Sequence, residues 1–172
     1  MSIFYTAHFR MLCIDPGLRG CGVAEFLAGN LVRAAYVKNP RDVGRGYECH
    51  RTMARAVQQW ATPAVDRVVI ELPRIYPGSA QQKGDLNDLL DLTGVGGAIA
   101  ASSEAVVESV FPSDWKGQVP KDVMTERIKR ACTPEERATA EKCAASLAHN
   151  MWDGVGIGLY KLSRLHKKVL HD

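Results

Sequence analysis

The sequence predicts an α/β domain built on a mixed five-stranded sheet, with three antiparallel strands followed by parallel strands and with helices flanking the sheet. Three observations predict this class. Three apolar runs with only short turns between them open the chain, two later β-branched runs are each preceded by a helical segment, and the remainder has helical periodicity. The chain has 172 residues, of which 46% are hydrophobic. We find no repeats or long linkers, so we assign residues 1–172 to a single domain.

The first three strands are expected at Phe9–Ile14, Cys21–Leu27 and Leu31–Val37. A glycine-rich turn separates the first two, and Ala28-Gly29-Asn30 is a hairpin signal between the second and third. Connections this short join neighbouring strands in opposite directions, so these strands should form an antiparallel meander.

The next segments alternate helix and strand. From Asp42 to Trp60 the apolar and long side chains recur at helical spacing, and Thr62-Pro63 ends the pattern. Arg67–Leu72 contains the run Val-Val-Ile and is interpreted as a buried strand reached through that helix. A crossover helix implies that this strand runs parallel to a neighbour.

The second half of the chain repeats this order and then becomes helical. A helix is expected from about Asp85 to Ser102, with a strand from Ala105 to Phe111 after it. The remaining segments are a loop at Pro112–Val119, a helix at Pro120–Cys132, a further helix with Thr133 as its N-cap and Pro134 at its first position, and a final helix that begins between His149 and Asp153 and continues past Tyr160.

Composition narrows the class of protein. No window approaches 18 uninterrupted apolar residues, and the first residues lack the pattern of a signal peptide, so we expect no membrane association and a cytoplasmic location. The five cysteines are scattered without a Cys-x-x-Cys pair, which favours free thiols over a zinc site or disulfides. The net charge of +3 is weak evidence for nucleic acid, although Arg33–Arg55 and Lys161–His171 are locally basic.

Three acidic residues lie in apolar surroundings. Asp15 ends the first strand, Glu71 follows Val-Val-Ile, and Asp153 lies in the apolar final helix. Each has an ordinary structural explanation: a turn residue before Pro-Gly, a solvated strand end and a helix cap, respectively. Because isolated buried carboxylates are unfavourable, their joint occurrence instead favours a site of oxygen ligands for a hard cation such as Mg²⁺.

Three motifs around these acids resemble the RuvC family of Holliday-junction resolvases, which have the RNase H-like (retroviral-integrase) fold. They are Leu12-Cys13-Ile14-Asp15-Pro16-Gly17-Leu18-Arg19 with Gly22-Val23-Ala24, then Val68-Val69-Ile70-Glu71, and His149-Asn150-Met151-Trp152-Asp153-Gly154-Val155-Gly156-Ile157-Gly158. The match extends over nearly the whole chain in the family's order. Divergence of the motifs suggests a bacteriophage version.

The resemblance implies a metal-dependent endonuclease that acts on branched DNA, most simply a four-way junction, as a homodimer. Two Mg²⁺ ions, with Mn²⁺ as a substitute, would be held by Asp15, Glu71, Asp153 and Asn150. The mechanism implied is two-metal hydrolysis of a phosphodiester, leaving 5′-phosphate and 3′-hydroxyl ends. The glycine-rich segment Gly94–Ala98 is a candidate for either the dimer interface or the core.

One position departs from the family pattern. Many relatives carry an Asp, or sometimes a His, three residues before the final Asp, whereas this chain has Asn150 there and His149 beside it. Asn offers a neutral carbonyl oxygen, and a His four residues before Asp153 could approach the same helix face. The loss of one negative charge should weaken the second metal site, so the enzyme would need more Mg²⁺ or prefer Mn²⁺.

The family also implies DNA contacts in two loops. Lys116 and Lys121 follow the last predicted strand and are expected to meet phosphates, with Lys121 nearer the scissile group. Arg74, Tyr76 and Lys83 lie in the loop after Glu71, where Ile75 or Tyr76 could unstack bases. The alternatives are that Trp115 anchors a loop whose lysines are solvated, and that the second loop is ordinary surface.

Three other functions remain open from the sequence. A sugar or acetate kinase of the actin-like class shares an early Asp-containing meander, but it needs two domains and a phosphate loop that 172 residues do not accommodate. A nuclease-dead or nuclease-weak protein that binds branched DNA is consistent with Asn150. An RNase H-like ribonuclease, or a relative that processes pre-16S rRNA, would use the same acids.

Overall fold

The structure is a computed structural model that describes residues 6–40, 44–74, 85–142 and 148–165. A five-stranded sheet forms the centre of this part of the chain, in the order β3-β2-β1-β4-β5. The strands are β1 (Arg10–Asp15), β2 (Gly20–Leu27), β3 (Asn30–Lys38), β4 (Arg67–Glu71) and β5 (Val106–Val110). β1 pairs antiparallel with β2 and β2 with β3, whereas β4 is parallel to both β1 and β5. This confirms the predicted mixed sheet.

Helices cover both faces of the sheet. They are α1 (Tyr47–Trp60), α2 (Leu86–Ala101), α3 (Pro112–Trp115), α4 (Lys121–Ala131), α5 (Pro134–Ala140) and α6 (Ala148–Lys161). The prediction of a loop over residues 112–119 was wrong for its first half, where α3 forms with Asp114 accepting from the backbone N–H of Phe111 (2.9 Å). No helix in the described segments is long and apolar enough to cross a membrane.

Alternation along the strands sorts the core into two layers. Met11 and Cys13 of β1 point to the same face as Val69 of β4, and this face packs against α6 together with α4 and α5. Leu12 and Ile14 point to the opposite face, which is covered by α1 and α2. Because side chains alternate, the last residue of β1 lies on the face that α6 covers.

Each face of the sheet contains a buried glutamate that interacts with arginine side chains. Glu25 is fully buried and interacts with Arg10, Arg33 and Thr62 on the α1 side of the sheet. On the α6 side, buried Glu136 accepts from the backbone of Leu31 (2.9 Å) and from Arg164. Hydrogen-bond donors satisfy both carboxylates, so we assign Glu25 and Glu136 a role in stabilising the fold.

Helix α6 lies unusually close to β2. A Cβ on Gly22 would lie 1.7 Å from the carbonyl oxygen of Asn150, and a Cβ on Gly154 would lie 2.9 Å from the carbonyl oxygen of Gly22. Both positions need glycine because backbone occupies the space of a side chain. This close approach fixes the first turns of α6 over the carboxyl end of β1.

We expect Gly22→Ala to lower the free energy of unfolding by about 1–3 kcal/mol or more, because the new methyl group forces α6 away from β2. The matched control is Gly97→Ala in α2, where a Cβ meets no atom within 4 Å. That change should raise the free energy of unfolding by up to about 1 kcal/mol through helix propensity. Urea denaturation of both variants measures the difference, and equal effects would contradict the close approach.

Candidate active site

Asp15 and Glu71 lie side by side at one end of the sheet. β1 and β4 are parallel neighbours with Ile14 opposite Ile70, so the next residue of each strand carries its carboxylate to the same edge. Strand alternation turns both toward α6, because Cys13 and Val69, two residues earlier, already pack on that face. Glu71 is 8% exposed, and Asp15 retains some contact with solvent.

Asp153 joins them from α6. It lies in the second turn of that helix, is 9% exposed, and is surrounded by the buried residues Trp152, Gly154 and Val155. The glycine-mediated approach between α6 and β2 holds this part of the helix against the sheet. The structure therefore brings the three predicted acids to one place.

Lys116, which follows α3, provides a positive charge within the cluster. Its Nζ lies 3.2 Å from Oε1 of Glu71 and 3.5 Å from Oδ2 of Asp153. Its side chain is only 24% exposed, and the ammonium also lies 4.8 Å from the centre of the Trp115 ring. Lys116 lies between the carboxylates, whereas the sequence favours Lys121 for the place nearest the reacting group.

Trp115 holds Glu71 from the other side. The indole is 1% exposed, and its Nε1–H donates to Oε2 of Glu71 (2.8 Å). The ring lies against α6 at Gly156, where a Cβ would meet it at 2.5 Å. Glu71 is thus fixed by one neutral donor and one charged donor. Trp115 is buried as the alternative expected, but Lys116 is not solvated as that alternative also required.

The cluster of Asp15, Glu71, Asp153 and Lys116 has more negative than positive charge. Burial raises the pKa of Asp15 well above its ordinary range, and the nearby Glu71 carboxylate raises it further. Burial also raises the pKa of Glu71, against the opposing effects of Lys116 and Trp115. Burial lowers the pKa of Lys116, but the three carboxylates together outweigh it and leave that pKa raised.

Asn150 lies one turn before Asp153, and its side chain contacts Lys121. Nζ of Lys121 lies 3.4 Å from Oδ1 of Asn150. Tyr36 lines the same cavity as Asn150, and its pKa is raised chiefly by burial, against the opposing effect of the Asn150 amide. Lys121 is exposed, and its charge acts on Asp15. The fourth predicted ligand therefore borders the carboxylate cluster.

A solvent-open cavity of about 1020 Å³ adjoins this side of the site. Its lining includes Tyr36 and Asn150, the Gly17–Gly20 turn, and Arg45 with Asp88. The described residues that line the cavity do not include Asp15, Glu71 or Asp153. The cavity therefore borders the acidic cluster at Asn150.

The other predicted contacts fall in different places. Arg74 is exposed beside α3, with Nη1 3.4 Å from Oγ of Ser113. Tyr76 and Lys83 lie outside the described residues, as does the side chain of His149. Within Gly94–Ala98, Val95 and Gly96 are buried against the sheet, and Gly97 alone is exposed.

The donor set fits a divalent cation in chemistry and charge. All three acids offer hard oxygen atoms, and the Lys116 ammonium lies close to two of them, Glu71 and Asp153. The ammonium lies where a cation shared by Glu71 and Asp153 would lie. Within the described ranges, no three His, Cys, Asp or Glu side chains converge tightly enough to enclose one ion.

Two residues of this site were not found from the sequence. Tyr36 is one of many residues in an alternating strand, and the hydrogen bond of Trp115 depends on a helix that was predicted as loop. An indole in an otherwise polar segment, Pro-Ser-Asp-Trp-Lys-Gly, was the available signal for Trp115. For Tyr36 the sequence contains no comparable signal.

Three solved structures of similar fold are distant from this chain in sequence. RuvC of Thermus thermophilus matches at 13% identity and a TM-score of 0.54, over 91% of this chain and 98% of that one. The T. thermophilus RuvC in complex with Holliday junction substrate matches at 15% and 0.51, over 88% and 91%. The yeast mitochondrial Holliday junction resolvase Ydc2 matches at 10% and 0.53, over 95% and 82%.

No protein-family profile matches the chain, and no curated protein shows significant sequence similarity to it. The similarity of this chain to known proteins is therefore one of structure. It shows that this chain has the RuvC-type RNase H-like fold, as the sequence motifs predicted.

Proposed function

We propose that this chain is a structure-selective DNA endonuclease that resolves Holliday junctions or other branched DNA. The observation that carries the proposal is the convergence of Asp15, Glu71 and Asp153, with a partly buried lysine between two of them, at the end of a RuvC-type sheet. Three carboxylates in so little space repel one another, and a protein retains such an arrangement where cations and a phosphate come to bind.

Mg²⁺ would be held by Asp15, Glu71 and Asp153, with Asn150 as a neutral fourth oxygen ligand. Two bound divalent ions supply activation of the attacking water and stabilisation of the leaving 3′-oxygen, which gives 5′-phosphate and 3′-hydroxyl ends. Trp115 fixes the orientation of Glu71 throughout, since its N–H bond leaves Oε1 toward Lys116. Bound cations would displace the Lys116 ammonium from between Glu71 and Asp153, and the lysine would then be placed to contact the scissile phosphate.

Lys121 and Arg74 extend the positive charge on either side of the carboxylates. Lys121 lies beside Asn150, and Arg74 lies next to α3 with its guanidinium 5.8 Å from the centre of the Phe111 ring. Both are exposed and suited to phosphate contacts. We also place Tyr76 and Lys83 among the DNA contacts on the strength of the family resemblance.

A homodimer would supply the two active sites that a symmetric junction requires. The outer face of α2 is a candidate interface, because Leu86 and Leu90 are one turn apart and are 51% and 64% exposed. Light scattering in solution should then give about twice the mass of one chain. A monomer would restrict the enzyme to single nicks in branched DNA.

Cleavage assays test the function directly. With Mg²⁺ or Mn²⁺, the protein should cut a four-way junction faster than a linear duplex of the same sequence, with flaps as a further branched substrate. Labelled products should carry a 5′-phosphate and accept ligation without further treatment. EDTA should abolish the reaction.

Other outcomes separate the alternatives. Tight junction binding without cleavage in either metal would favour a nuclease-dead binding protein, which Asn150 makes the second candidate. Preferential cleavage of an RNA–DNA hybrid would instead indicate an RNase H-like ribonuclease. Cleavage of linear duplex at the rate of the junction would contradict structure selectivity.

A further inference from the structure

We infer that Trp115 determines which divalent cations the carboxylate cluster accepts, because its indole N–H keeps one oxygen of Glu71 occupied and leaves only the other for a cation. This inference rests on the proposed metal site and deepens it. Two donors meet Glu71 in the structure. The indole Nε1 of Trp115 lies 2.8 Å from Oε2, and Nζ of Lys116 lies 3.2 Å from Oε1. Each oxygen of this carboxylate therefore has its own partner.

The two donors respond differently to an added positive charge. The Lys116 ammonium is repelled by a cation, and its side chain is flexible and 24% exposed, so it can move toward solvent. The indole of Trp115 is uncharged and only 1% exposed. If Oε2 left the indole, a buried N–H would lose its partner, which is unfavourable. A cation therefore displaces the lysine from Oε1 and leaves the indole on Oε2.

Packing holds both ends of this hydrogen bond in place. The Trp115 ring lies against Gly156 of α6, where a Cβ would meet a ring carbon at 2.5 Å, and Ile128 of α4 reaches the same position. Ile128 is itself fully buried. Glu71 lies within the paired part of β4, opposite Val110 of β5. The indole thus has little freedom to turn away from the carboxylate.

A carboxylate with one available oxygen suits some cations better than others. Mg²⁺ requires near-ideal octahedral coordination, usually keeps several waters, and is bound through one or two carboxylates. Ca²⁺ takes about six to eight oxygen ligands and often uses both oxygens of one carboxylate. With Oε2 engaged by the indole, Glu71 offers Mg²⁺ the single oxygen that it needs and denies Ca²⁺ a second. Trp115 therefore favours Mg²⁺ over Ca²⁺ at this site.

Cation binding without DNA tests the inference. The variants are Trp115→Phe, which removes the N–H, and a protein with benzothienylalanine at position 115, which replaces the N–H by sulfur at nearly the same shape. Ile128→Val is the matched control, because it loosens the packing beside the ring and retains the N–H. The readout is the dissociation constants of Mg²⁺ and Ca²⁺, from their competition with Mn²⁺ followed by the EPR signal of the free manganese ion.

We expect both replacements of Trp115 to shift the ratio of Ca²⁺ to Mg²⁺ affinity toward Ca²⁺ by about three- to tenfold, the range for one hydrogen bond. Ile128→Val should leave that ratio unchanged. An equal change in affinity for both ions, or no change, would overturn the inference, since Trp115 would then act on packing alone. A shift in Trp115→Phe that the benzothienylalanine protein does not share would overturn it as well, because the shape of the side chain would be the cause.

The indole N–H also gives a direct signature of the bond. Its ¹H–¹⁵N resonance, one of three from tryptophan side chains, is identified by its loss in Trp115→Phe. A proton bonded to a buried carboxylate resonates downfield and exchanges slowly with solvent. We expect this resonance to keep its position when Mg²⁺ saturates the unaltered protein. A move upfield to the position of an unbonded indole would contradict the inference, because Oε2 would then have left the N–H.

The proposed function fails in a different way. If the unaltered protein binds neither Mn²⁺ nor Mg²⁺, the metal site is wrong and the inference falls with it. If the protein binds both ions and the Trp115 replacements leave the ratio unchanged, the metal site stands and only the role of Trp115 is withdrawn. Thermal unfolding of all variants identifies any that do not fold, and the benzothienylalanine protein keeps a ring of the same size against Gly156.

Discussion

Asp15→Asn should reduce cleavage by at least about 10³-fold while raising the melting temperature of the metal-free protein by a few degrees. The loss follows because Asp15 would be one of the carboxylates that hold the metals, and a metal contributes several kcal/mol of transition-state stabilisation. The gain follows because burial and the charge of Glu71 disfavour ionised Asp15. An amide of the same shape removes that repulsion without a cavity.

The stabilisation should depend on pH with a defined sign. The folded-state pKa of Asp15 is raised, so ionisation becomes unfavourable to folding as the pH rises from its unfolded value through its folded value. Asp15→Asn should therefore bring no benefit in acid, where the group is protonated in both states, and a growing benefit at higher pH. Calorimetry with EDTA measures it.

Exposed Glu104 supplies the matched control, since Glu104→Gln removes a carboxylate away from the site. It should change neither cleavage nor melting temperature appreciably. With Mg²⁺ added, the unaltered protein should gain more stability than Asp15→Asn, because only the former binds the ion tightly. Full cleavage by Asp15→Asn would remove this residue from the site, and a lowered melting temperature would contradict the electrostatic argument.

A site residue can be predicted from the sequence when a local pattern determines where its side chain lies. Asp15 and Glu71 are predictable because strand alternation and parallel pairing determine where their side chains lie. Asp153 is predictable because an acid in an apolar helix requires a partner. The strands were found for the same reason, since local apolar patterns encode them.

Glu25 shows the limit of that reasoning. It too is an acid in an apolar strand, and it is more deeply buried than Asp15 or Glu71. Its hydrogen-bond donors, two arginines and a threonine, come from positions 10, 33 and 62, which no local pattern brings together. Only the fold distinguishes a buried carboxylate whose hydrogen-bond donors balance its charge from a carboxylate that belongs to a cluster of excess negative charge.

The lysines show the same limit. Lys116 and Lys121 are both plausible phosphate contacts from sequence, and their order of importance depends on the path of the chain after β5. Because α3 forms where a loop was predicted, Trp115 is buried and Lys116 is carried between Glu71 and Asp153. Spacing along the chain does not reveal this placement.

Lys116→Met should have opposite effects on metal binding and on catalysis. Without metal, the free energy of unfolding should fall by about 1–3 kcal/mol, since Glu71 and Asp153 lose a partly buried partner. Mn²⁺ should bind more tightly, because no ammonium competes for the two carboxylates. Cleavage at saturating metal should nevertheless fall by about 10²-fold, the effect of removing one group that stabilises transition-state charge.

These opposite directions separate the proposed role of Lys116 from a purely structural one. A residue that only holds the fold would weaken metal binding and cleavage together when replaced, and excess metal would restore both. Lys142→Met, at an exposed position after α5, controls for the loss of a positive charge and should leave all three measurements unchanged. If Lys116→Met binds Mn²⁺ no more tightly than the unaltered protein, the ammonium does not occupy the position of a cation, and Lys116 would be a phosphate contact alone.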